Sequence, residues 1–174
     1  MDAPETITPE DKDWTWVIDS GCPDCGFAPG PATGVAAALR ATIPRWAAVL
    51  ARADAAVRPA PQVWSPLEYA CHVRDVCRIF GVRATLMLTQ TDPSFANWDQ
   101  DATAVAERYW EQDPADVAAE YAMEAERTAE IFERVPADAW GRRGFRSNGS
   151  EFTVATLAVY FLHDIEHHLH DVAG

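Results

Sequence analysis

Between Thr153 and Val172 the apolar residues Val154, Leu157, Ala158, Phe161, Ile165, Leu169 and Val172 recur at spacings of three or four. An α-helix gathers that spacing into one broad stripe, so the segment must bury one face against other elements. Four of the chain's five histidines are threaded through the same stretch, in the run His163-Asp164-Ile165-Glu166-His167-His168-Leu169-His170-Asp171. At about 100° per residue, Asp164 and His168 fall together on one flank of the apolar stripe. His163, His167 and His170 fall on roughly the opposite face, so one helix offers two sets of metal-ligating side chains in opposite directions. The plainer reading of the outer set is a solvated histidine face.

Three further helical patterns precede this one. Val35, Leu39, Ile43, Trp46 and Leu50 predict a helix from Val35 to about Asp54, with a kink or break at Pro44. Ser65, Pro66 and Glu68 form a capping-box start for a second helix that runs to about Leu88 and buries Tyr69, Val73, Val76, Phe80 and Met87. A third helical region covers about Ala102 to Arg134, with an interruption at Asp113-Pro114. The histidine helix starts near Phe152 or Thr153. Strand alternation is weak, with short extended pieces expected only near Trp14 to Ile18 and Trp140 to Phe145. The expected fold is all-α: a four-helix bundle over residues 35–174, preceded by an irregular, proline-rich arm over residues 1–34.

Charge excludes some functions. The formal charge is −13 and Lys12 is the only lysine, so phosphate backbones and anionic lipid surfaces are repelled. No apolar run is long enough for a membrane span, and the first residues lack the basic and apolar regions of a signal peptide. Cytoplasmic location, no nucleic acid, no membrane and a small-molecule substrate are the resulting expectations, with a homodimer left open. Four cysteines in 174 residues do not make a secreted disulfide scaffold, which favours reduced or metal-bound thiols.

His72 lies on the edge of the second helix's apolar face, four residues after Glu68. An inward histidine is commonly just a satisfied core residue. Here a facing helix carries the Asp164/His168 pair on its inner flank, and bundle metal sites are built from side chains of facing helices. His72, Asp164 and His168 are therefore the expected inner ligands. Three protein donors leave a position for water or substrate, the mark of a catalytic site. Zinc is the default ion, while iron, nickel and manganese stay open.

Cys22-Pro23-Asp24-Cys25-Gly26 has the form of a zinc knuckle and needs two more ligands. His163 and His167 on the outer face could complete a Cys2His2 set with Cys22 and Cys25, His170 being the spare. Such a structural zinc would staple the arm to the last helix. A redox-active dithiol and a plain turn are the competing readings.

The order Trp64-Ser65-Pro66-Leu67-Glu68, then His72, then a late acid-x-x-x-His pair resembles the DinB/YfiT-like metalloprotein superfamily over residues 35–172. The resemblance implies a four-helix bundle holding a divalent metal with one histidine on helix two and two ligands four residues apart on the last helix. It also implies thiol transfer with bacillithiol or mycothiol, or mycothiol-dependent isomerisation of the maleylpyruvate type. Asp164 departs from the histidine that many members carry there, although the isomerase branch has a similar carboxylate. A rival register, His72 with His163 and His167, keeps three histidines but points two of them away from the stripe. The alanine- and arginine-rich, lysine-poor composition favours mycothiol. The functional expectation is a metal-dependent transfer of a low-molecular-weight thiol to an electrophilic small molecule; the alternative is a non-catalytic metal-binding stress-response or regulatory module.

Overall fold

The computed structural model describes residues 4–5, 7–8 and 12–174. Residues 1–3, 6 and 9–11 of the expected arm lie outside them. A short helix, α1 (Val17–Ser20), is followed by α2 (Val35–Leu50), α3 (Pro66–Thr89), α4 (Gln100–Ala106), α5 (Pro114–Glu133) and α6 (Val154–Asp171). The bundle consists of α2, α3, α5 and α6. Helix α5 lies against α2 and α3, and α6 packs against the same two.

The apolar stripes meet in one core. Trp46, Tyr121, Phe132, Leu157 and Phe161 are fully buried, and Phe161 stacks between Phe80 and Phe132 with centroids 5.4 and 5.8 Å away. Burial of a side chain of this size contributes about 1.5–3 kcal/mol, so the core fixes how α3 and α6 face one another.

Helix α3 starts where the capping box places it. Ser65 Oγ accepts from the Glu68 amide at 3.2 Å, and the Glu68 carboxylate accepts from the Ser65 amide at 2.9 Å. Glu68 is buried and ion-paired to Arg58, which ties this turn to the preceding loop. Helix α6 is capped in the same way by Thr153 and Thr156.

Three expectations need correction. Helix α2 does not break at Pro44 but continues through it, because that proline is on the exposed side, where solvent can satisfy the carbonyl it leaves unbonded. The third helical region breaks more widely than expected. Arg108 takes a left-handed conformation (φ 50°), a single 3-10 turn follows at Tyr109–Glu111, and α5 restarts on Asp113, whose side chain accepts from the Ala115 and Asp116 amides. Trp14 to Ile18 is not extended but turns into α1.

A small sheet of β1 (Ser94–Phe95), β2 (Arg143–Arg146) and β3 (Glu151–Thr153) closes one end of the bundle. Strand β1 pairs parallel with β2, Ser94 opposite Phe145, and β2 pairs antiparallel with β3, Gly144 opposite Phe152. The chain then passes directly from β3 into α6. Among the described residues no helix is long and apolar enough to cross a membrane.

Candidate metal centre

Helix α6 carries ligand-type side chains on two faces, and the fold covers both. On the inner flank, His72 of α3 meets Asp164 and His168. The Nε2 atoms of His72 and His168 lie 3.2 and 3.3 Å from the same Asp164 oxygen, Oδ1. A hydrogen bond between ionised partners would be nearer 2.7–2.9 Å. Two donors about 2.0–2.1 Å from one tetrahedral zinc stand about 3.3–3.4 Å apart, so the same spacing also fits ligands of one shared ion. The residues present therefore suit a divalent metal.

The surroundings set the protonation state of each donor. Trp98 stacks on the His72 ring with centroids 5.4 Å apart and planes 5° apart, while Trp64 packs at 5.5 Å. Burial lowers the His72 pKa against the opposing pull of Asp164, which keeps the ring neutral. Its Nδ1 is buried and has no hydrogen-bond partner among the described residues. For Asp164, burial alone would raise the pKa, but the His168 and His72 hydrogen bonds hold it well below the usual carboxylate range. His168 shows the reverse balance. Burial disfavours its cation, yet Asp164 and Asp171 outweigh this and push it up to about 9. Its Nδ1 lies 2.9 Å from Asp171 Oδ2, the carboxylate–histidine arrangement that orients a metal-ligating ring.

Asp164 and His168 open on a cleft of about 230 Å³ lined also by Lys12, Tyr69, Gln100 and Tyr160. This gives access to a metal's remaining coordination positions.

The other face of α6 is not solvated, contrary to the plainer expectation. His163 is only 4% exposed, because the arm lies over it. The ring centroids of Trp14 and Phe27 are 5.5 and 5.3 Å from that of His163, and Trp14 meets His167 edge-on at 5.0 Å. Cys22, Cys25, His163 and His167 each bring one donor atom into a group whose members all lie within 4.8 Å of one another. The knuckle turn is closed by Cys22 N–H donating to the Phe27 carbonyl at 2.8 Å and Gly26 N–H donating to the Cys22 carbonyl at 2.9 Å. Gly21 (φ 71°) is required there, since a Cβ would stand 2.5 Å from the Phe27 oxygen. Burial pushes the Cys25 thiol up to about 11, opposite to the lowered value of a reactive dithiol.

The structure thus brings together both sets named from the sequence. The rival set does not assemble as such, since His163 and His167 gather with the two cysteines and His72 gathers with Asp164 and His168. His170 is exposed and joins neither. Cys71 and Cys77 are buried elsewhere in α3. The arginines before α6 serve the fold: Arg142 donates to the Met87 and Gln90 carbonyls at the end of α3, and Arg143 pairs with Asp92 at 2.9 Å. Asp99 caps α4, accepting from the Ala102 amide. Sequence reasoning missed Asp171, although its spacing of three from His168 was a usable signal. It also missed Tyr160, one turn before Asp164 on α6, and Trp98, which only the packing of its loop brings to the site.

Comparison with known proteins agrees with this architecture. YfiT from Bacillus subtilis, described as a probable metal-dependent hydrolase with an unusual four-helix bundle topology, superimposes with a TM-score of 0.68 at 15% identity, covering 96% of this chain and 91% of its own. No curated protein matches the chain. The sequence profile of the DinB superfamily matches residues 52–172, from the loop before α3 to the end of α6. On that match, over a bundle of the same topology, the chain belongs to the DinB superfamily.

Proposed function

We propose that the protein is a metal-dependent enzyme in which His72, Asp164 and His168 hold a divalent ion, zinc by default, and a low-molecular-weight thiol of the mycothiol type is transferred there to an electrophilic small molecule. The observation that carries the metal reading is the meeting of two imidazole Nε2 atoms on one carboxylate oxygen at 3.2 and 3.3 Å, beneath an accessible cleft. When bound, the ion would lower the pKa of a thiol or water in its open position.

The chain's own groups divide the remaining work. Asp171 fixes the His168 ring, and Trp98 and Trp64 shield His72 from water. Burial raises the Tyr160 pKa, so its phenol stays a hydrogen-bond donor at the cleft wall, with the Gln100 amide nearby to orient a polar substrate. The cleft is smaller than the roughly 300–1,000 Å³ of common small-molecule pockets, which suits the reacting end of a thiol cofactor with the rest lying across the mouth. All four cysteines are free, in keeping with a reducing cytoplasm.

A second reading, hydrolysis by a metal-activated water, draws support from the three-donor site and from the description of YfiT as a probable metal-dependent hydrolase. The experiment is a turnover screen of zinc-loaded protein with mycothiol, bacillithiol and glutathione against a halogenated aromatic electrophile, beside activated esters without thiol. Thiol-dependent turnover that His168→Ala abolishes, with helical content intact, is the expected result. Ester cleavage without thiol would move the assignment to hydrolysis. Absence of metal-dependent turnover in every arm would leave a binding module in place of an enzyme.

A further inference from the structure

We propose that Cys22, Cys25, His163 and His167 form a second metal site, a structural zinc centre that fixes the N-terminal arm as one wall of the cleft. This goes beyond the proposed activity and does not depend on it.

Three observations converge. Four donors from segments some 140 residues apart gather within 4.8 Å, and two thiols with two imidazoles are a donor set zinc prefers. Cys22 Sγ lies 3.7 Å from His167 Nδ1, where zinc bonds of about 2.3 and 2.0–2.1 Å at the tetrahedral angle give about 3.6 Å. His163 Nε2 is buried with no hydrogen-bond partner among the described residues, a deficit that destabilises the fold unless something fills it. An ion can satisfy the orphaned His163 nitrogen, which an apolar packing role for that ring leaves unmet.

The site also explains how so short an arm keeps its place. Helix α1 has four residues and offers one buried side chain, Val17. Trp14 and Phe27 meet α6 at the rings of His163 and His167. Lys12 and Trp14 line the cleft together with Asp164 and His168. A zinc ion joining the knuckle to α6 would hold that wall against the helix bearing the inner donors, so the two centres share a partition.

Reconstitution of the metal-free full chain with cobalt(II) tests this directly, because only the outer site contains thiolates. Two ions per chain and a thiolate-to-cobalt charge-transfer band are expected. Cys22→Ser/Cys25→Ser should remove the band and one ion, whereas Asp164→Ala should keep the band. A wild-type protein without the band, or a band that survives the double cysteine change, overturns the site. A Lys-specific protease reads the arm, since Lys12 is the sole lysine. In zinc-loaded samples the double cysteine variant should be cut at least about tenfold faster than wild type, as cleavage follows the open population. Equal rates overturn the wall. Failure of the inner site would appear separately, as an ion count unaffected by Asp164→Ala.

Discussion

Asp171 lies one turn beyond His168 and holds its Nδ1 at 2.9 Å, so the imidazole is bracketed by one carboxylate on each nitrogen, Asp164 at Nε2 and Asp171 at Nδ1. The bracket sets both the aim of the ring and its readiness to give up a proton.

Asp171→Asn should therefore weaken the inner ion by about 10- to 100-fold while leaving the fold unchanged. Competition with a chromogenic chelator measures this. Affinity equal to wild type would show that Asp171 has no part in orienting the ligand.

Metal uptake should depend on pH. In the metal-free chain His168 is pushed up to about 9, so an ion binding at pH 7 must displace its proton. Apparent affinity should rise about tenfold per pH unit up to about 9, then level off. The same raised value stabilises the metal-free fold fully below the unfolded histidine pKa of about 6.5, and that contribution is lost as pH rises through about 9. Calorimetry in buffers of different ionisation enthalpy counts the released proton; a count of zero at pH 7 would contradict the bracket.

Asp164→Ala removes a donor of the inner set and should abolish most inner-site affinity, whereas His163→Ala should spare it. The opposite pattern would restore the register of His72 with His163 and His167. Equilibrium dialysis of both variants decides between them.

The buried thiols should be inert. Burial pushes Cys71 up to about 12 and Cys77 well above its ordinary value. At pH 8 only about one Cys71 in 10⁴ is thiolate, so alkylation of the folded protein should leave both unmodified by mass spectrometry, while denatured protein reacts at all four cysteines. Modification of Cys71 in the folded state would show that α3 opens more readily than its packing implies.

Arg58→Ala leaves Glu68 buried without its cation. Losing one member of a buried pair costs about 3–5 kcal/mol, and the lower end is expected because Ser65 still donates two hydrogen bonds to Glu68. Urea unfolding measures it. Since His72 follows Glu68 by one turn, inner-site affinity should fall in the same variant.

The helices were legible wherever local chemistry alone sets them. Ser65, Pro66 and Glu68 specify the start of α3 within four residues, and the stripe from Val154 to Leu169 specifies which way α6 faces. The two donor sets were legible for the same reason, because helical geometry separates Asp164 and His168 from His163 and His167. What covers the outer set was not legible. Trp14 and Phe27 reach His163 through a loop whose path is set by Gly21 and Gly26, and no periodicity announces such a path. Trp98 was hidden likewise, since it stacks on His72 from a loop that the short sheet positions. Pro44 misled because its effect depends on whether it faces water, which sequence alone does not state.

Helix α6 places His163 and His167 at one centre and Asp164 and His168 at the other, interleaved along a single rigid rod. Each added or deleted residue turns everything beyond it by about 100°. An insertion between Asp164 and His167 therefore cannot retune one centre and leave its neighbour alone; it dismantles both. The rod acts as a common ruler, and any change in its length is read twice.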